Sequence, residues 1–167
     1  MNAAKSNVKI RPMSLLDLKA IFDIHQKLEA EKKFTTYKQF TVRKIFGMST
    51  EEADLKKRPD ILEVAKLINL GLVAESEGTV CGFVVGRQTY LAEFDIEEGE
   101  IAIIGVDPDY QRKGIASMLI DAICDLLLSK GVSSVRIGVD PDDSNLLAFF
   151  ERMGFTGQRL LYLSKTL

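Results

Sequence analysis

Apolar and polar positions change their period abruptly in the second half of this chain. Residues 101–106 form an unbroken apolar run rich in β-branched side chains, which predicts a strand buried on both faces. From Gly114 onward apolar residues recur at helical spacing, and Gly131 follows them as a C-cap, so this segment predicts an amphipathic helix. The turn residues 107–109 (Asp-Pro-Asp) separate the two segments. A buried strand is therefore predicted to lead through a short loop into a helix.

The rest of the pattern predicts strands on either side of this β-α unit. The predicted elements are a strand over 8–12, a helix from Ser14 to about Glu31, two or three short helices within 34–70, strands over 72–75 and 80–90 joined by a turn at Gly78, a strand over 135–139, a helix from Asn145 to Gly154, and a last strand after Gly157. This order predicts an α/β fold with a mixed sheet. No linker, low-complexity segment or internal repeat is recognised, so residues 1–167 are predicted to form one domain.

Composition excludes several classes of protein. Hydrophobic residues make up 46% and charged residues 28% of the chain, as in ordinary soluble domains. The net charge of −2 lacks the basic excess that nucleic-acid binding requires. No apolar run is long enough to cross a bilayer and residues 1–9 do not form a signal peptide, so we expect a cytoplasmic protein without a membrane anchor.

The sulfur and imidazole side chains offer little metal or redox chemistry. Cys81 and Cys124 lie in apolar patterns far apart in the sequence, which predicts two buried thiols rather than a disulfide or a metal pair. The single histidine, His25, falls on the apolar side of the first helix, where a core or boundary residue is expected. We therefore expect no metal site.

The loop before the central helix has the composition of an anion-binding site. The loop and the first helical turn together comprise six residues, which are Gln111, Arg112, Lys113, Gly114, Ile115 and Ala116. The free N–H groups of a first helical turn converge where the helix dipole favours negative charge, and glycine leaves that place uncrowded. An ordinary β–α connection with a solvated basic pair explains so short a pattern equally well. Neither a Walker A loop nor the glycine triplet of a dinucleotide fingerprint is present.

Two motifs in order relate this loop to a known family. Residues 111–116 resemble the (Gln/Arg)-x-x-Gly-x-(Gly/Ala) loop of the GCN5-related N-acetyltransferases, the GNAT superfamily, and the preceding I-I-G-V-D-P-D-Y resembles the exit of that family's central strand. Further on, residues 145–155 resemble the family's second motif, in which an Asn opens a helix that ends in Gly-Phe. The resemblance extends over about residues 8–165. It implies a GNAT-like three-layer fold, in which helices flank a central, mostly antiparallel and splayed β-sheet.

The resemblance implies acetyl-CoA as the acetyl donor and an amine as the acceptor. In the family the central strand splays from its neighbour and pairs with the pantetheine arm, which here concerns Ile104, Gly105 and Val106. Glycine at position 105 would allow close approach to the thioester. The diphosphate would bind the N–H groups of residues 111–116. A backbone N–H near Val106 would stabilise the oxyanion of the tetrahedral intermediate.

A few residues of these motifs decide how the amine would react. Glu100 begins the central strand where several family members place the general base, although an exposed strand-end carboxylate would give the same pattern. Phe150 stands where many members carry a tyrosine that protonates the departing thiol. A thiol with a pKa near about 8.5 leaves tolerably as a thiolate, so turnover does not require that acid. Asn145 and Phe149 would reach the pantetheine arm, or else cap the helix and fill the core.

Two segments are consistent with substrate recognition and equally with ordinary structure. Residues 34–70 correspond to the helices that vary most on the substrate side of the family, or they form extra core or a dimer surface. Residues 90–100 carry several carboxylates and no cation, as a solvated turn would, or as a negative lip that attracts an amine would.

The sequence therefore predicts an acetyl-CoA-dependent N-acetyltransferase, in which a primary amine attacks directly within a ternary complex. The acceptor would be a small-molecule amine or an amine of a protein or peptide, and related enzymes are often homodimers. One alternative is a non-catalytic acetyl-CoA-binding or sensing domain, which Phe150 favours. The other is a phosphate- or nucleotide-binding α/β protein that uses the same loop without CoA.

Overall fold

The computed structural model describes residues 7–31, 68–91 and 96–157, and within them five strands form one sheet in chain order. These strands are β1 (Val8–Pro12), β2 (Gly71–Ser76), β3 (Thr79–Leu91), β4 (Ile96–Val106) and β5 (Ser134–Ile137). Neighbouring strands from β1 to β4 are antiparallel, whereas β5 runs parallel to β4. The predicted mixed, mostly antiparallel sheet is confirmed.

Helices cover both faces of this sheet. The described helices are α1 (Leu18–Ala30), α2 (Ile115–Ser129) and α3 (Ser144–Arg152), with 3-10 turns at Leu15–Asp17 and Pro108–Tyr110. The apolar stripe of α1 packs on one face, while α2 packs on the other, together with Phe150 of α3. The three-layer arrangement is therefore present. None of the described helices is long and apolar enough to cross a membrane.

The second half of β4 is buried on both faces, as its apolar run predicts. All residues of 101–106 are buried between the two helical layers. The side chains of β4 do not alternate strictly between the two faces of the sheet, since Ala102 and Ile103 both pack on the α1 side. The cause is a β-bulge in the pairing with β3, at the register shift beside Gly86.

Most element boundaries agree with the sequence prediction within two residues, but β4 begins at Ile96, so Glu100 lies inside this strand rather than at its beginning, and the cap of α3 differs as well. Asp143 caps this helix, and its Oδ1 accepts the backbone N–H of Leu146 at 2.9 Å. The suggestion that Asn145 caps the helix is therefore wrong, because that residue lies exposed inside the first turn. The short helices predicted up to residue 67 and the strand predicted after Gly157 lie outside the described residues.

The few sulfur and imidazole groups lie in or beside the core. His25 is 6% exposed on the inner side of α1, as expected. Both cysteines are free thiols, with Cys81 buried and Cys124 only partly buried. Burial raises the pKa of both thiols, since it disfavours the thiolate. The described residues contain no group of three or more His, Cys, Asp or Glu side chains that could hold a metal ion.

Arg11 ties the first strand to the start of the first helix. Its guanidinium donates to both carboxylate oxygens of Asp17, at 2.8 and 2.9 Å, and to Glu75 of β2 at 2.7 Å. Asp17, whose side chain is 7% exposed, also accepts the backbone N–H of Ser14 at 2.8 Å, as in a capping box. The hydrogen bonds from Arg11, followed by those from Ser14, lower the pKa of Asp17 from 3.8 to about 2.

We expect acid to destabilise the protein partly through Asp17. Because its pKa in the folded protein lies below 3.8, this carboxylate contributes stability that is present above about pH 4 and lost as the pH falls toward about 2. The full contribution is about 2 kcal/mol. Arg11→Met should lower the free energy of unfolding by about that amount at neutral pH and should reduce its loss in acid. Urea unfolding at several pH values measures both effects.

Lys19→Met is the control for this experiment. Lys19 lies 2.8 Å from Asp23, but the two side chains are 87% and 56% exposed, and exposed pairs contribute little to stability. This variant should unfold like the wild type at every pH. If Arg11→Met loses stability in acid as steeply as the wild type, the role given to Asp17 is wrong.

Candidate active site

The pairing between β4 and β5 ends before β4 does. The ladder joins Glu98 to Ser134 at one end and Ile101 to Ile137 at the other. β5 stops there, whereas β4 continues to Val106 along β3. A fork therefore opens between two parallel strands at their carboxyl ends, as the resemblance implies for a splayed central strand. Such a divergence of neighbouring strands is a common place for a ligand in open sheets.

An internal repeat accompanies this fork, and the sequence analysis missed it. The hexapeptide Ile-Gly-Val-Asp-Pro-Asp occurs at 104–109 and again at 137–142. In both copies the first Asp accepts the backbone N–H of the second at 3.0 Å, so the turns are alike. The ladder, however, pairs Ile137 with Ile101 rather than with Ile104. The second copy therefore lies three residues earlier in the register than the first, and β5 ends opposite Ile101, five residues before β4 ends at Val106, which opens the fork.

Gly114 leaves the N-terminus of α2 without a capping side chain. This residue is the N-cap, its φ is +79°, and a Cβ added to it would meet nothing within 4 Å. The N–H of Met118 donates to the Gly114 carbonyl at 3.1 Å, so the N–H groups of residues 115–117 lie ahead of the first helical bond. They point out of the helix end, where the dipole favours an anion.

The N-terminus of α3 is built in the opposite way, although it follows the same hexapeptide. Its N-cap, Asp143, places a carboxylate against the N–H of Leu146. A negative group of the protein itself thus occupies the position that is open at α2. Of these two helices, only α2 offers its first turn to an external anion.

Gln111 folds the loop back onto the end of β4. Its side-chain Nε2 donates to the Val106 carbonyl at 3.2 Å. Its backbone N–H donates to the Pro108 carbonyl at 3.4 Å, within the 3-10 turn. The predicted row of backbone donors therefore loses the N–H of Gln111, which shapes the loop through its side chain instead.

The rest of the loop has a backbone shape that suits an anion. Arg112 and Gly114 both have positive φ, at +62° and +79°, and alternation of this kind turns successive N–H groups toward a common concavity. The side chains of Arg112 and Lys113 are exposed at the rim, where Lys113 lies 4.9 Å from the ring centre of Tyr110. The loop and the start of α2 therefore form an exposed, cationic concavity.

The backbone of Val106 points into the fork. The next residue, Asp107, donates its N–H to the Cys81 carbonyl of β3 at 2.9 Å. The Val106 carbonyl belongs to the same trans peptide and points the other way, where Gln111 binds it. In extended backbone the N–H of Val106 points to the same side as its carbonyl. The predicted oxyanion donor thus faces the fork.

Gly105 is required by the packing of the core. A Cβ at this position would lie 2.7 Å from Cε1 of Phe83 and 3.1 Å from Cδ1 of Leu28. This contact explains the glycine without a ligand, so its predicted proximity to a thioester rests on the resemblance alone.

Glu100 lies at the base of the fork, beside a second carboxylate and a cation. Arg136 stands opposite Glu100 in the parallel ladder, with its Nη2 4.0 Å from Oε2 of Glu100 and its Nη1 2.8 Å from Oε2 of Glu98. The two carboxylate side chains are only 20% and 24% exposed. Arg136 was not found from the sequence, because no local pattern tells which strand lies beside β4.

Comparison with known proteins supplies the family. The model of the family described as Acetyltransferase (GNAT) matches residues 38–155, more than half of the chain. The chain belongs to the GNAT family. It is therefore an acetyltransferase of a family that uses acetyl-CoA. Membership favours the enzyme over the two alternatives that the sequence left open.

Solved structures with this fold include several GNAT enzymes. An aminoglycoside acetyltransferase, meta-AAC0020, from an uncultured soil metagenomic sample is 22% identical, with 96% of each chain covered and a TM-score of 0.65. A ribosomal-protein-alanine N-acetyltransferase from Brucella melitensis biovar Abortus 2308 is 18% identical over 95% of this chain and 99% of that one, with a TM-score of 0.61. AAC(6')-Iy, in complex with the bisubstrate analogue CoA-S-monomethyl-acetylneamine, is 16% identical over 97% and 100%, with a TM-score of 0.66. The likeness confirms the predicted GNAT fold.

The second GNAT motif contributes mainly to the core. Phe150 is 3% exposed, and its ring centre lies 5.2 Å from that of Phe149 and 5.4 Å from that of Phe155 in edge-to-face geometry. No hydroxyl is therefore offered at this position of the motif. Phe149 is partly buried against the same cluster and Asn145 is exposed, so their contact with a pantetheine arm stays a prediction.

Lys27 of α1 forms ion pairs with the turn that follows β4, a contact that was not found from the sequence. Its Nζ lies 2.8 Å from Oδ2 of Asp107 and 3.2 Å from Oδ2 of Asp109. Asp107 is buried, so its charge requires a partner. The contact joins α1 to the turn that precedes the GNAT loop, across 80 positions of sequence.

The strand geometry limits how Glu100 and Val106 could act together. Their partners on β3 are Arg87 and Gly82, which lie five residues apart. Five residues span roughly 16 Å at about 3.3 Å each. A base must come within about 3 Å of the atom that carries the proton, or act through water. Glu100 can therefore serve an amine near Val106 only through intervening water.

Proposed function

We propose that this GNAT enzyme transfers the acetyl group of acetyl-CoA to a primary amine, which attacks directly within a ternary complex. The observation that carries the proposal is the open, glycine-capped N-terminus of α2 beside the fork between β4 and β5. The helix end suits a diphosphate, and the Val106 backbone that faces the fork suits an amide group of a pantetheine arm. The helix end would thus bind the diphosphate, and the end of β4 would bind the pantetheine arm that joins the diphosphate to the thioester.

Each part of acetyl-CoA would meet a different set of residues. Arg112 and Lys113 would pair with the diphosphate at the rim, and the N–H groups of residues 115–117 would bind it at the helix end. Gln111 would keep the loop in place through its contact with Val106. The pantetheine arm would lie along 104–106. Bound there, acetyl-CoA supplies an activated thioester.

The acceptor must react as a neutral amine. An unperturbed alkylamine has a pKa of about 10, so Glu100 would take its proton through water. The nitrogen lone pair then forms the C–N bond while the carbonyl electrons move onto oxygen, to which the Val106 N–H would donate. When the carbonyl reforms, the C–S bond breaks and its electron pair leaves on sulfur, while one proton of the attacking nitrogen passes to water and leaves a neutral amide. The CoA thiolate needs no tyrosine acid, which agrees with Phe150.

The two cysteines support direct transfer rather than an acetyl-cysteine route. Cys81 and Cys124 are the only cysteines of the chain. Burial raises the pKa of each thiol, and nearby carboxylates act in the same direction. The nucleophilic thiolate is therefore disfavoured at both positions.

Two carboxylates at the base of the fork suit a cationic acceptor. Glu98 and Glu100 lie on one face of β4 beside Arg136 of β5, and Arg87 of β3 stands opposite Glu100 in the antiparallel ladder. One structural relative is named an aminoglycoside acetyltransferase and another a ribosomal-protein-alanine N-acetyltransferase. We propose an aminoglycoside and a peptide with an N-terminal alanine as the first two acceptors to test.

Acetyl-CoA should raise the melting temperature of the protein in a saturable way. A ligand that binds only the folded state adds about 2.7 kcal/mol at about 100 times its Kd, or roughly 5–10 °C for a domain of this size. ATP at the same concentrations is the control and should raise it less. Release of the CoA thiol in the presence of each acceptor then measures transfer. No thermal shift at millimolar acetyl-CoA, or a larger one with ATP, would overturn the proposal.

A further inference from the structure

The guanidinium of Arg136 lies near both carboxylates at the base of the fork, those of Glu98 and Glu100. Nη1 of Arg136 lies 2.8 Å from Glu98, whereas Nη2 lies 4.0 Å from Glu100. The arginine stands opposite Glu100, one position before the ladder ends at Ile101 and Ile137. Glu98 and Glu100 are two residues apart on one strand, so their side chains project from the same face of the sheet.

Glu98 and Glu100 lie at different distances from the Arg136 guanidinium, so they are suited to different roles. Glu98 is in direct contact with the guanidinium, which occupies one of its oxygens. Glu100 stands at the outer limit of an ion pair and accepts no described hydrogen bond from Arg136. Of the two, Glu100 therefore has the carboxylate that an amine or a water molecule can approach.

Folding stability does not explain this arginine. Its side chain is 41% exposed, and ion pairs so exposed contribute little to stability. A planar guanidinium, in contrast to an ammonium, can present separate N–H groups to two neighbouring carboxylates. The geometry suits orientation of the carboxylates better than it suits stabilisation of the fold.

We propose that Arg136 is a positioning residue for acetyl transfer. Its direct contact holds Glu98 toward β5, and its charge, 4.0 Å from Oε2 of Glu100, attracts Glu100 into the position where this carboxylate takes the proton from the attacking amine. In that step the N–H bond breaks, the proton passes through water to Glu100, and the electron pair stays on nitrogen for the C–N bond. The inference rests on the proposed function, since it assigns a supporting residue to the same site.

Steady-state kinetics with the best acceptor test the role. Arg136→Met should lower kcat by about 10- to 100-fold, because a base misplaced by about 1 Å costs a factor of this size. The KM for acetyl-CoA and the thermal shift with acetyl-CoA should stay within about 2-fold of the wild type, since the cofactor loop is untouched. Arg136→Lys should recover only part of kcat, because the charge returns without the planar group. Lys19→Met, which removes a cation from an exposed pair, should leave all constants unchanged.

A double-mutant cycle separates positioning from a structural effect. In a Glu100→Gln background the group to be positioned is gone, so Arg136→Met should lower kcat by less than about 2-fold further. Equal losses in both backgrounds would overturn the inference, and so would an unchanged kcat in Arg136→Met alone. With either of these two outcomes the wild type still transfers acetyl groups, so the proposed function stands although the role of Arg136 does not. A wild type that binds acetyl-CoA but releases no thiol with any amine would refute the proposed function itself.

Discussion

Gly114→Val should abolish most of the affinity for acetyl-CoA. A side chain at this position would project into the open space before the first turn of α2, where a Cβ meets nothing within 4 Å. It would thus compete with the diphosphate for the N–H groups of residues 115–117. Loss of one or two charge-assisted hydrogen bonds, at about 1.5–3 kcal/mol each, raises the Kd by at least about 10-fold, and by about 100-fold or more where about 3 kcal/mol is lost. The melting temperature as a function of acetyl-CoA concentration measures the change.

Gly78→Val is a closely matched control for this substitution. Gly78 has the same φ of +79° and equally open surroundings, but it lies in the turn between β2 and β3. Valine costs at least about 1–2 kcal/mol of backbone strain at either position, so both variants should melt lower in the absence of ligand. Only Gly114→Val should lose the response to acetyl-CoA, and Gly114→Ala should lie between it and the wild type. A full response in Gly114→Val would exclude the start of α2 as the diphosphate site.

Glu100→Gln should lower kcat for acetyl transfer by about 10²- to 10⁴-fold, the usual contribution of a general base. Glutamine keeps the size of the side chain but cannot accept a proton from the amine. Acetyl-CoA should bind as before, because Glu100 lies far from the helix end that takes the diphosphate. Thiol release with the best acceptor measures kcat, and the thermal shift measures binding.

Glu97→Gln provides the comparison. Glu97 precedes Glu98 on β4 and therefore points to the opposite face of the sheet, where Nε2 of Gln88 donates to it at 2.9 Å. Its substitution should change kcat by less than about 2-fold, because it points away from the proposed base. If Glu100→Gln and Glu97→Gln turn over equally fast, Glu100 is not the base, although the family and the cofactor site are unaffected.

The sequence predicts the central β-α unit well because the signals are local. The apolar run of 101–106 is buried as predicted, and the residues after it end the strand through the side chain of Asp107. Gly131 has a φ of +90°, as its position after the last helical residue requires. Each of these features depends on residues within one or two turns of each other, so periodicity and turn chemistry suffice to find them.

Long-range contacts escaped the sequence analysis for the complementary reason. Lys27 reaches Asp107 across 80 positions, and Arg136 reaches Glu98 only because β5 lies beside β4 in one register. A change of that register would move Arg136 away from both carboxylates. Capping by Asn145, one of the two roles that the sequence left open for this residue, was wrong for a smaller reason, since Asp143 and Ser144 before it are equally good caps.

The sequence alone determined the family, the order of the described elements and the glycine that opens the N-terminus of α2, because these depend on residue types at short spacing. The fork was decided only in the tertiary structure. Two identical hexapeptides end neighbouring strands, and nothing local distinguishes the copy at 104–109 from the copy at 137–142. The three-residue offset between them arises from how β5 aligns with β4, and that alignment is set by the packing of the whole sheet and its helices.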